Sequence, residues 1–160
     1  MSKNKKIIIC LFALAGFSTV YSGTRRHINI TNNSSKTLSF FTPDDSTKKC
    51  FYVHNIDPIG SKSSGTVELE ESAALFTGCG TSSKYITLDI KGKDGATKET
   101  SSIKVGSEFV APPFKDSRYF YVHNLSGIPN DAEFNSEDLS FEVSDPEPAS
   151  KSDELVWKHI

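Results

Sequence analysis

The chain has 160 residues, 24% of them charged, with a formal net charge of −2. That length suits one domain, and the absence of a basic surplus excludes a protein built to hold nucleic acid or anionic lipid through clustered Lys and Arg. Past the N-terminal lysines, Arg25-Arg26-His27 is the one compact basic run, and it reads as a flexible, solvated end.

Lys3, Lys5 and Lys6 precede an apolar run from Ile7 to Phe17, and Val20-Tyr21-Ser22 closes the stretch with residues suited to a cleavage site. Residues 1–22 are therefore expected to be a cleaved secretory signal. The run is too short for a comfortable membrane span, which weighs against an uncleaved anchor. Cys10 lies inside it and should leave with it, so a lipoprotein is not expected. The expected location is the periplasm or the extracellular medium, of a bacterial cell given the lysine-led signal. Beyond Ser22, twenty acidic side chains face fifteen basic ones. Only Cys50 and Cys79 remain, and in an exported chain they most simply form one disulfide. Closing that segment predicts roughly 3–4 kcal/mol of stabilisation. Two free thiols or a metal pair are the competing readings, and the second lacks a CxxC spacing.

The remaining elements read as strands. His27-Ile28-Asn29-Ile30 alternates and runs into a polar turn over Thr31–Lys36. Leu38–Phe41 follows, stopped by Thr42-Pro43-Asp44-Asp45. Cys50–Ile56 is the next strand, ended at Asp57-Pro58. Gly60–Gly65 reads as a flexible turn, Thr66–Glu70 alternates, and Ala73–Phe76 leads into Gly78-Cys79-Gly80. Tyr85–Ile90 is the clearest amphipathic strand, with Ile86, Leu88 and Ile90 on one face. Lys91–Gly95 ends in an Asp-Gly pair suited to a tight turn. Ile103 and Val105, then Glu108–Ala111, Arg118–Leu125 and Leu139–Val143 complete the series.

The expected fold is thus all-β, an antiparallel sandwich of eight to ten short strands over residues 23–143. A polar, acidic tail occupies 144–160 and ends in the apolar segment Leu155–Ile160, which carries the single Trp. Docking of that segment as an edge strand is favoured over its use as a recognition peptide.

The pentamer Phe-Tyr-Val-His-Asn occurs twice, at Phe51–Asn55 and Phe120–Asn124. This suggests a pseudo-two-fold relation between halves. Period two puts Phe51, Val53, Phe120 and Val122 on a core face. Tyr52, His54 and Ile56 take the other face, as do Tyr121, His123 and Leu125. Asn55 and Asn124 end the strands, placed to bond the turn backbone. Tyr52, His54, Tyr121 and His123 are the candidate ligand-binding residues, provided the two copies are neighbours. Two His make an incomplete metal set, so no metal and no cofactor are expected.

No catalytic motif emerges. Gly60–Gly65 lacks the spacing of a nucleophile elbow or a phosphate loop. Glu68, Glu70, Glu71 and Asp89 alternate with apolar residues and read as exposed strand faces.

The segment His-Ile-Asn-Ile-Thr-Asn-Asn-Ser from His27, with Gly65-Thr66-Val67 and the Cys79-Gly80 loop, resembles the aegerolysins over Arg26–Gly80. That resemblance implies a small all-β protein that binds membrane lipid and acts in pore formation with a partner. Aegerolysins are rich in Trp, whereas this chain has none before Trp157. The expected function is an exported, non-enzymatic protein that binds a protein, glycan or cell surface. A lipid-binding, toxin-like module is the first alternative, and a secreted enzyme with a scattered site is the second.

Overall fold

A computed structural model describes residues 23–43, 48–72, 79, 83–92, 101–110, 115–148 and 153–160. The leader expected over 1–22 lies outside the described residues, as do the expected strand at 73–76 and the Asp-Gly pair at 94–95.

Ten strands are described, β1 Thr24–Asn32, β2 Leu38–Phe41, β3 Phe51–Asn55, β4 Ser63–Glu71, β5 Lys84–Gly92, β6 Ser101–Val110, β7 Lys115–His123, β8 Ala132–Phe134, β9 Asp138–Ser144 and β10 Val156–His159. They form two five-stranded sheets. Sheet 1 has the order β10-β9-β1-β4-β3, and sheet 2 has the order β2-β5-β6-β7-β8. Sheet 2 is antiparallel throughout. In sheet 1, β1 and β9 run parallel, with Ile28 opposite Leu139 and Ile30 opposite Phe141. The expected antiparallel pattern is therefore corrected at this pair. Alternation of side chains is the same in parallel and antiparallel ladders, so patterning carries no strand direction.

Alternation does place the core. Ile28 and Ile30 of β1, Val67 and Leu69 of β4, and Leu139, Phe141 and Val143 of β9 join one buried cluster. So do Ile86, Leu88 and Ile90 of β5, Ile103 and Val105 of β6, and Phe120 and Val122 of β7. Each such side chain removed from water contributes about 1.5–3 kcal/mol. Cys50 and Cys79 are both buried and form a disulfide with a Cα–Cα distance of 5.5 Å, which resolves the alternatives open in the sequence.

The Arg25-Arg26-His27 run is not a solvated end. It lies within β1, and Arg26 is fully buried. At the other terminus, β10 pairs with β9 and becomes the outermost strand of sheet 1. Trp157 is 4% exposed and meets Phe141 edge-on, with centroids 5.5 Å apart. Its backbone N–H donates to Ser126 O at 2.7 Å. The adjoining Gly127 has φ +90, and a Cβ there would lie 2.5 Å from Trp157 O. Only glycine suits both the conformation and the approach.

The two pentamers occupy unlike places. β3 is the edge strand of sheet 1 opposite β10, whereas β7 lies between β6 and β8 in sheet 2. The pseudo-two-fold relation is not reproduced. Phe51, Phe120 and Val122 are buried, but Val53 is 39% exposed. β3 has a neighbour on one side only and its register shifts between Val53 and Asn55, so its core face is incomplete. Asn55 ends its strand as expected, accepting from Asp57 N–H at 2.9 Å and donating to Thr66 O at 3.0 Å. Asn124 instead adopts φ +53, which breaks the period and turns Leu125 into the core, 2% exposed.

Candidate functional site

The four residues singled out in the pentamers do not converge. Tyr52 and His54 belong to sheet 1 and Tyr121 and His123 to sheet 2. Tyr121 lies between the buried Phe120 and Val122 on β7, so it faces away from the core, and Tyr52, His54 and His123 are exposed. Tyr52 is 59% exposed. His54 Nε2 lies 2.8 Å from Glu70 Oε2, and that bond, aided by Gly23 N–H, holds the Glu70 carboxyl below its ordinary value. His123 Nδ1 lies 2.9 Å from Asp131 Oδ1. Each histidine thus has its own carboxylate rather than sharing a site with the other. Among the described residues, no three His, Cys, Asp or Glu side chains are grouped as metal ligands.

Tyr121 belongs to a larger arrangement. On the outer face of sheet 2, register sets Tyr85 opposite Gly106 and Gly106 opposite Tyr119. Two residues along, Thr87 faces Lys104, Lys104 faces Tyr121, and Tyr121 faces Glu133. Gly106 leaves a gap that the Tyr119 ring covers: a Cβ at Gly106 would lie 2.6 Å from Tyr119 Cζ. The Lys104 ammonium sits 4.1 Å from the Tyr85 ring centroid. Partial burial, followed by the charges of Glu108 and Glu133, pushes the Tyr119 hydroxyl up. Tyr121 is pushed up as well, by desolvation and then by the charge of Asp131. The result is an aromatic, acid-bordered face. Tyr85 and Tyr119 were legible only as strand residues, because the register that joins them to Tyr121 is a tertiary fact.

A second cluster lies between the sheets. Lys84 Nζ donates to Glu71 Oε1 at 2.9 Å, Ser72 O at 2.7 Å and Cys79 O at 2.5 Å. Ser107 Oγ donates to the same Glu71 oxygen at 2.7 Å. Arg26 Nη1 lies 3.6 Å from Glu71 Oε2. The Arg26 guanidinium also donates to the carbonyls of Gly106, Tyr119, Ser136 and Glu137, and it stands 4.5 Å from the Phe120 ring centroid. Burial pulls its pKa down while Glu71 opposes the change. Glu71 is only 5% exposed, which corrects its reading as a solvated strand residue. The chemistry of this cluster is bonding between β1, β4, β5 and β6, with the three ammonium donors of Lys84 each matched to an acceptor.

Comparison of the chain with protein-family models, with curated proteins and with solved structures finds no match.

Proposed function

We propose that the chain is an exported, non-enzymatic binding protein, a β-sandwich whose partner-contacting surface is the outer face of sheet 2. The observation that carries this reading is the gathering of Tyr85, Tyr119 and Tyr121 on one open sheet face around Gly106. Tyrosines supply large, stiff contact area with a polar tip, which is why they concentrate at interfaces.

Two further features support it. The buried Lys84 and Ser107 both meet Glu71, and Lys84 also donates to the carbonyls of Ser72 and Cys79, which fits a role in holding the strand ends together. The Cys50–Cys79 disulfide is compatible with an oxidising, exported setting. A lipid-inserting role has less support, because Trp157 is in the core.

The test immobilises the purified, processed protein beside a Tyr119→Ser/Tyr121→Ser variant. Both are exposed to surface and exported material from the producing cells and from cells it meets. Retention of a partner by the first and its loss from the second is expected. Partners retained equally by both would move binding to another surface and overturn the proposal, as would association with liposomes alone.

A further inference from the structure

Resting on that reading of sheet 2, we propose that the face receives a cationic side chain, Lys or Arg, presented by a partner protein.

The face already holds one cation of its own, the Lys104 ammonium 4.1 Å from the Tyr85 centroid. That contact is the chemistry in miniature: an ammonium over an aromatic ring, attracted by the ring's negative face. Among the described residues, no such cation stands over Tyr119 or Tyr121. Beside those two rings lie carboxylates. Glu133 is directly across from Tyr121, and the Asp131 charge acts on its hydroxyl. Glu108 and Glu133 are the carboxylates whose charges act on Tyr119. Neither Glu108 nor Glu133 enters an ion pair among the described residues, and both are exposed.

Among the described side chains, Lys104 is therefore the single Lys or Arg set among Glu108, Asp131 and Glu133 on this part of the face. An incoming cation meets a ring and an unneutralised carboxylate together, whereas an acidic group would be repelled. Among the described side chains, the face carries no large aliphatic beside these tyrosines, which removes the footing an apolar helix would need. Complementarity of charge is what steers and orients such an encounter.

Titration of the isotope-labelled protein with a Gly-Arg-Gly-Arg-Gly peptide, followed by backbone amide NMR, tests the proposal. A Gly-Glu-Gly-Glu-Gly peptide is the control. Shifts are expected to gather on β5, β6 and β7 around Thr87, Lys104, Tyr119 and Tyr121, to shrink with added salt, and to be absent with the control. Replacing Tyr119 or Tyr121 by Leu should weaken the Arg peptide about two- to fivefold per ring. Glu108→Gln/Glu133→Gln keeps the rings and should also weaken it. Amide dispersion reports whether each variant is folded. Shifts gathered elsewhere, an equal response to both peptides, or undiminished affinity in the Gln variant would overturn the cation site. A native partner lost by the Tyr119→Ser/Tyr121→Ser variant but kept by the Gln variant would sink this inference and leave the binding face standing. A native partner kept by both would sink the binding face itself.

Discussion

Glu71 and Lys84 meet at 2.9 Å with 6% of each side chain exposed, and they tie the end of β4 in one sheet to the start of β5 in the other. The same carboxylate faces Arg26 and accepts from Ser107. Removing Glu71 leaves two cations without their counter-charge in a nearly dry site. Glu71→Ala is expected to destabilise the protein by about 3–5 kcal/mol, the range for breaking one side of a buried pair. Urea unfolding measures it. A loss under about 1 kcal/mol would mean that water or a rearranged neighbour replaces the carboxylate.

This cluster was within reach of the sequence, though the reading of Arg26 and Glu71 as solvated missed it. Arg26 precedes Ile28 and Ile30 by one period-two step, and Glu71 follows Val67 and Leu69 in the same way. Lys84 precedes Ile86 and Leu88, and Ser107 follows Ile103 and Val105. All four extend an apolar face by one position. What no spacing supplied is that the four strand ends coincide in space. Strand existence was legible because alternation is local. The sheet partners of β3 and β7, the parallel β1–β9 pair and the three-strand Tyr85–Gly106–Tyr119 row were not, because registers between distant strands are decided by packing.

The disulfide offers a second measurement. Cys50 and Cys79 are 29 positions apart. Cys50→Ser/Cys79→Ser should lower stability by about 3–4 kcal/mol if its effect is chiefly to restrict the unfolded chain. The midpoint of denaturant unfolding should fall with little change in the described sheet order, checked by amide shifts.

Trp157 is the only tryptophan and is buried against Phe141. Its emission should therefore be that of an apolar site and shift to longer wavelength on unfolding. Trp157→Ala should cost about 3–5 kcal/mol, since the vacated volume is large and its lining is held by β9. An exposed-type emission spectrum in the native protein would contradict the position of β10.

Acid should lower stability through the exposed carboxylates that the fold holds ionised. Asp145 is pulled below its ordinary value by the backbone N–H of Ser35, then by the Ser35 hydroxyl. A lowered folded pKa adds stability that is complete above the unfolded value. It is lost as pH falls from that value through the lower folded one. Stability should thus be level above the ordinary carboxylate range and decline below it, and Asp145→Asn should remove part of that slope. Chemical denaturation at a series of acidic pH values reads both.

Tyr119 and Tyr121 should ionise above the ordinary tyrosine value of 10.0. A raised folded pKa favours the protonated, folded form, so the stability they contribute is lost as pH climbs past the unfolded value. Ultraviolet titration should place both rings late. Glu108→Gln/Glu133→Gln should bring Tyr119 partway back, because their charges add to the effect of burial. Titration of all tyrosines at the ordinary value would remove the acidic border from sheet 2.

The parallel pairing of β1 with β9 has a consequence in time. β1, near the start of the chain, gains its second neighbour only when residues 138–144 are present, and β10 closes the sheet at the chain's end. A growing or threading chain therefore carries a half-paired β1 from the emergence of β4 until that of β9. Contacts so distant in sequence place the protein among slow, high-contact-order folders. Assembly of sheet 1 thus waits on residues 138–144, not on the segments that emerge first.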